Sequence, residues 1–136
     1  MGAFGKTSQD RLSTCHPLLQ QVANEAIKNC PVDFGISEGN RSIERQQQLF
    51  KEGKSKIDGV TQKGKHNYSP SEAFDIYAYV NGKISYDTAS LSFIAGFILA
   101  TAQRINIKVR WGGNWDGDGE IIKDQSLVDL PHFELL

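Results

Sequence analysis

Residues 73–86 read AFDIYAYVNGKISY, and the arrangement of the whole chain follows from them. Period two along 73–80 puts Phe74, Ile76, Ala78 and Val80 on one side and Asp75, Tyr77 and Tyr79 on the other. Asn81-Gly82 is the strongest short signal for a two-residue hairpin turn, so residues 83–86 are expected to pair back. The hairpin therefore has an apolar face that must be covered. Its other face carries a carboxylate, Asp75, which is costly on an apolar strand unless it is solvated, paired or bound to a cation.

Cover is available on both sides in the sequence. Residues 17–29 place Leu18, Leu19, Val22, Ala23, Ala26 and Ile27 at helical spacing, with Pro17 at the favoured first position and Pro31 just past the end. A second apolar helix is expected over 88–105. Its core, 91–102, is interrupted by Ser92, Gly96 and Thr101 and is shorter than the roughly 20 residues that span a bilayer. Ser42 can cap a helix over 43–51 that Gly53 closes, and 8–14 suit a short helical turn. Strands are expected at 33–38, 107–112 and 132–135, with a long aperiodic loop at 54–71, where length itself points to function. The pattern is α+β: a small, mainly antiparallel sheet with helices packed on it, in a single domain over 1–136 without a separate binding module.

Composition narrows the partners. Fifteen basic and sixteen acidic side chains leave a net charge of −1, which gives no reason to expect nucleic acid or an anionic membrane. The N-terminal MGAFGKTSQDR has no apolar signal core. Cys15 and Cys30 bracket the 17–29 helix and would lie roughly 20 Å apart along it, beyond the roughly 7 Å that a disulfide allows. Two free thiols in a reducing compartment are expected, in a monomer that does not insert into membranes.

Three residues carry candidate chemistry. Asp75 sits on the less apolar side of its strand. His132 does the same in LPHFELL, where it shares a side with Glu134 while Phe133 and Leu135 share the other. His66 lies in the loop before the Asp75 strand. Taken singly, Asp75 reads first as an exposed strand residue and His132 as a hydrogen-bonded structural one, and His66 alone carries no signal. Together, two imidazoles and a carboxylate are one known composition for a zinc site with its fourth position open. Asp129, three residues before His132, can be a turn residue or a proton acceptor beside such a site; Pro131 biases Leu130 toward extended backbone.

The strings KHNYSPSEAFD at 65–75 and DLPHFEL at 129–135 resemble the zinc peptidases of the D-alanyl-D-alanine carboxypeptidase and L-alanyl-D-glutamate endopeptidase family, above all its small single-domain bacteriophage endolysins. The likeness runs from about residue 38 to the end. It implies that His66, Asp75 and His132 hold Zn2+ and that Asp129 serves catalysis. It also implies that Arg41, in GNRSIERQQQLFKEG, grips a substrate carboxylate, a task its fork suits, and that Gln46 contacts substrate or holds the site together. Peptidoglycan stem peptides are the implied substrate and host lysis the implied role. Synthesis without a signal peptide then implies access to the wall after membrane permeabilisation. Two positions depart from the family pattern: Gly64 stands where many relatives have Ser, and Asn40 replaces an aromatic.

The segment NWDGDGE places Asn114, Asp116, Asp118 and Glu120 at alternate positions, like the first half of a calcium loop, but Gln125 stands where the closing Glu would be. Ca2+ as a regulator and a solvated turn-rich loop both remain open readings. Two rivals to the endopeptidase also stand: a D,D-carboxypeptidase using the same metal, and a metal-stabilised wall-binding module without catalysis. A free carboxylate at Asp129 argues against the second.

Overall fold

The computed structural model describes residues 2–55, 57–59, 64–114 and 129–136. In chain order its elements are α1 (Lys6–Leu12), α2 (Pro17–Asn29), β1 (Asp33–Glu38), α3 (Ile43–Lys51), a single 3-10 turn (Lys65–Asn67), β2 (Ala73–Val80), β3 (Lys83–Ser85), α4 (Thr88–Arg104), β4 (Val109–Gly112) and β5 (Asp129–Leu135). The sheet runs β1-β2-β5-β4, with β3 paired to the far end of β2, and these pairings are antiparallel. The α+β expectation holds. Asn81 and Gly82 both take positive φ, as the two-residue turn requires.

Side chains cap the starts of α2, α3 and α4. Ser42 Oγ accepts the Arg45 N–H and Asp87 Oδ1 accepts the Ser90 N–H. The third histidine, His16, caps α2 by accepting the Leu18 N–H. Two boundaries differ from expectation. The first helix lies at Lys6–Leu12, earlier than 8–14. β4 begins at Val109, not 107, because Asn106 in the left-handed region ends α4. Its N–H bonds Gln103 O and the Ile107 N–H bonds Ala102 O, which claims those residues for the helix end.

Phe74, Ile76 and Ala78 of β2, Phe133 of β5 and Trp111 of β4 join Leu19, Val22, Ala23 and Ala26 of α2 and Leu91, Ile94, Ala95 and Ile98 of α4 in the core. Phe74 and Phe133, cross-strand partners, stack with ring centroids 5.5 Å apart. With this face committed to the helices, period two forces Asp75 and His132 onto the opposite face. Cys15 and Cys30 are both free, and burial pushes the Cys15 thiol up to about 11. Among the described residues no helix is long and apolar enough to cross a membrane.

Candidate metal centre

Asp75 and His132 face each other directly across the β2–β5 ladder. His66 reaches them from the 3-10 turn, which is stitched to the loop after β1. The Arg41 N–H bonds His66 O at 2.7 Å, Asn67 Nδ2 bonds Arg41 O at 3.0 Å, and Asn40 Nδ2 bonds Tyr68 O at 2.7 Å. At the two positions that depart from the family pattern, Asn40 ties the two loops and the Gly64 N–H bonds Asn67 Oδ1 at 2.8 Å.

Three atoms then converge. His66 Nε2 lies 3.1 Å from Asp75 Oδ1 and 3.2 Å from His132 Nδ1, and His132 Nδ1 lies 3.1 Å from Asp75 Oδ1. The two imidazoles have their outer nitrogens engaged. His66 Nδ1 donates to Gly39 O at 2.7 Å and His132 Nε2 donates to Glu134 Oε1 at 2.8 Å, which turns the remaining lone pairs toward Asp75. Three lone-pair atoms in mutual contact repel unless a cation or proton sits among them. A tetrahedral ion with bonds of about 2.0–2.1 Å separates its ligand atoms by roughly 3.3 Å, close to the edges of this triangle. Donor set and spacing both fit zinc, and these residues are the group that could hold an ion among the described residues.

The electrostatics agree. Burial opposes ionisation of Asp75, but hydrogen bonds from His132 and His66 hold its carboxyl well below the usual carboxylate range. Burial likewise opposes charging of His132, yet hydrogen bonds to Asp75 and Glu134 push it up to about 9. The linkage signs follow. A raised His132 stabilises the fold fully below about pH 6.5, its unfolded value, and that stabilisation disappears as pH rises through about 9. A depressed Asp75 stabilises above about pH 4, its unfolded value, and is lost in stronger acid. Chelator-treated protein should therefore melt highest between about pH 4 and 6.5 and lose up to about 3 kcal/mol toward pH 9. Melting curves in chelator check this; a flat midpoint from pH 6.5 to 9 contradicts it.

Asp129 stands at the rim, not in the triangle. Its side chain is 44% exposed, and Oδ2 lies 3.9 Å from His132 Nδ1. The sequence pattern predicts a strand from 132, but β5 starts at Asp129, so this residue is not in a turn. Positions three apart on a regular strand point to opposite faces. Here the β4 partner changes from Phe133 opposite Trp111 to Asp129 opposite Gly112, an irregularity that puts Asp129 and His132 on one side. Gly112 makes it possible, since a Cβ there would run into the Asp129 carbonyl. Trp111 Nε1 pins the bulge by bonding Leu130 O at 2.7 Å. Burial and the nearby Asp75 charge raise the Asp129 carboxyl above its ordinary value.

Arg41, Gln46 and Asp129 line the same cleft of about 380 Å³ as the triangle. Arg41 Nε and Nη2 bond Glu38, Nη1 bonds Gln46 Oε1 at 2.9 Å, and Nη2 lies 3.7 Å from Asp75 Oδ2. Gln46 is buried, and its amide also bonds Asn67 Nδ2, Ser55 Oγ and Ile57 O, which suits holding the site together better than touching substrate. Asn114 ends the turn after β4, bonding Trp111 O through its N–H; Asp116, Asp118 and Glu120, and with them the calcium reading, lie outside the described residues. Nothing in the sequence marks Glu38 or Gly39 as part of the site. Glu134 has a signal there, as the polar neighbour two residues from His132.

A family model described as phage L-alanyl-D-glutamate peptidase matches residues 1–136. The chain is 32% identical over 136 residues to the L-alanyl-D-glutamate peptidase of Escherichia phage T5, covering 98% of this chain and 97% of that protein. It is 24% identical over 135 residues to the peptidoglycan L-alanyl-D-glutamate endopeptidase CwlK of Bacillus subtilis strain 168, covering 91% of this chain and 75% of that one. In structure it matches the L-Ala D-Glu endopeptidase ChiX of Serratia marcescens with a TM-score of 0.81 at 29% identity, covering 99% of this chain and 91% of that one.

Proposed function

The chain belongs to the phage L-alanyl-D-glutamate peptidase family, and on that premise we propose that it cleaves the L-alanyl-D-glutamate bond of peptidoglycan stem peptides during host lysis, with zinc held by His66, Asp75 and His132. The observation that carries this reading is the triangle of ligand atoms 3.1–3.2 Å apart, opening into a cleft with Asp129 at its rim. Zinc there supplies Lewis acidity that makes water a nucleophile near neutral pH and polarises the scissile carbonyl.

The chain's own residues do the rest. Asp129, close to the triangle but outside it, accepts the proton of the attacking water and returns it to the leaving amine. Its place outside the triangle, 3.9 Å from His132 Nδ1, leaves its carboxylate free to carry the proton between the two steps. Arg41 has three of its donors committed to Glu38 and Gln46 among the described residues. Of its five donors, the two not so used, one of them on the Nη2 that lies 3.7 Å from Asp75 Oδ2, are those that would meet a carboxylate of the stem peptide. Gln46 keeps that guanidinium in place.

Digestion of purified peptidoglycan followed by mass spectrometry tests the reading. New fragments beginning with D-glutamate in its natural linkage, formed with zinc and not with chelator, are expected. Loss of single terminal D-alanine residues would instead mark a D,D-carboxypeptidase, and binding without cleavage a wall-binding module.

A further inference from the structure

Glu134 and Arg110 form a second layer behind the triangle. β5 carries His132 and Glu134 two positions apart and so on one face. Glu134 lies opposite Ala73 on one neighbouring strand and Arg110 on the other. One carboxylate oxygen accepts the His132 Nε2–H at 2.8 Å, and the other accepts from Arg110 Nη2 at 2.6 Å. The Glu134 side chain is 8% exposed. A carboxylate this deep is expensive unless its oxygens are engaged, and here one bond goes to a cation and one to an imidazole.

We propose that Glu134, braced by Arg110, is a positioning residue that fixes the ring and tautomer of His132 so that Nδ1 faces the metal. The inference rests on His132 being a zinc ligand. A neutral imidazole carries its proton on either nitrogen, and with the proton on Nδ1 the ring in this orientation presents no lone pair to the triangle. Holding the proton on Nε2 removes that alternative and stops the ring from turning. Gly39 does the same for His66 through a neutral carbonyl at 2.7 Å. Glu134 does it through an anion, which also strengthens the imidazole as a donor. Arg110 keeps the carboxylate from rotating away, and the β4–β5 register places it there.

Zinc affinity by chelator competition and the ring nitrogen shifts of His132 in zinc-loaded protein test this. Glu134→Ala should bind zinc about 10- to 100-fold more weakly while its metal-free form stays folded. Its His132 nitrogens should no longer report a single form ligated through Nδ1 and protonated at Nε2. Glu134→Gln keeps an acceptor for Nε2–H and should recover most of the affinity. Arg110→Met should lose part of it. A folded Glu134→Ala with wild-type zinc affinity overturns the proposal, and so does Glu134→Gln as weak as Glu134→Ala. Should Glu134→Ala fail to fold, Arg110→Met decides: unchanged affinity and unchanged His132 shifts overturn the brace. A wild-type chain that binds no zinc would overturn the metal reading itself, a result distinct from intact zinc binding in the variants.

Discussion

Replacing Asp129 with Ala is expected to leave zinc affinity within a few-fold of wild type and to lower turnover on peptidoglycan by about 10²- to 10⁴-fold, the range for a lost general acid–base group. The two halves of this result come from different distances. The three converging atoms of His66, Asp75 and His132 lie 3.1–3.2 Å apart, whereas Asp129 Oδ2 stands 3.9 Å from His132 Nδ1. It contributes to the field around the ion without belonging to the triangle. The substitution should also cost little stability, because the side chain is half-exposed and its carboxyl is raised rather than stabilised as an anion. Asp129→Asn keeps the shape, cannot take a proton, and should be as slow as Asp129→Ala. Metal analysis and turnover must be read on the same samples. Full zinc content with undiminished turnover removes Asp129 from catalysis; lost zinc content would make it a ligand instead.

The sheet and its two covering helices were legible because their signals are local. Alternation in 73–80, Asn81-Gly82, Pro17 at the head of α2 and the capping residue Ser42 each act within a few positions, and the structure follows them. That Asp75 and His132 share the face away from the core also followed, since period two leaves no choice once Phe74 and Phe133 are buried. Their direct opposition did not follow, because register between strands 57 residues apart is set by pairing across the sheet. Asp129 shows the limit most clearly. Simple alternation puts it on the wrong face, and only the bulge opposite Gly112 brings it round. A bulge is a property of two strands at once and leaves no mark in either alone. The same holds for Gly39, whose role is played by a backbone carbonyl that every residue has.

Asp75→Asn should separate the metal from the fold most sharply. The change keeps the volume of the side chain and removes its charge, so the core face behind it, Phe74 and Ile76, is untouched. A four-ligand structural zinc site is worth about 10–16 kcal/mol, or roughly 3 kcal/mol per ligand, and a loss of that size weakens binding on the order of 100-fold. Because a ligand stabilises the state it binds by RT ln(1 + [L]/Kd), about 4 kcal/mol when zinc is at about 1,000 times Kd, most of the zinc-induced rise in melting temperature should vanish. A second effect is independent of zinc. The hydrogen bond to Asp75 is the foremost influence raising His132, so without that charge the imidazole returns toward its ordinary range. The stability of chelator-treated Asp75→Asn should then change far less between pH 6.5 and 9 than that of the wild type. Calorimetry with excess zinc and with chelator, across that pH range, reads both effects. A variant that keeps the wild-type zinc shift shows that Asp75 is not a ligand. One that loses the zinc shift but keeps the wild-type pH slope shows that the proton on His132 is held by Glu134 and Asp129 instead.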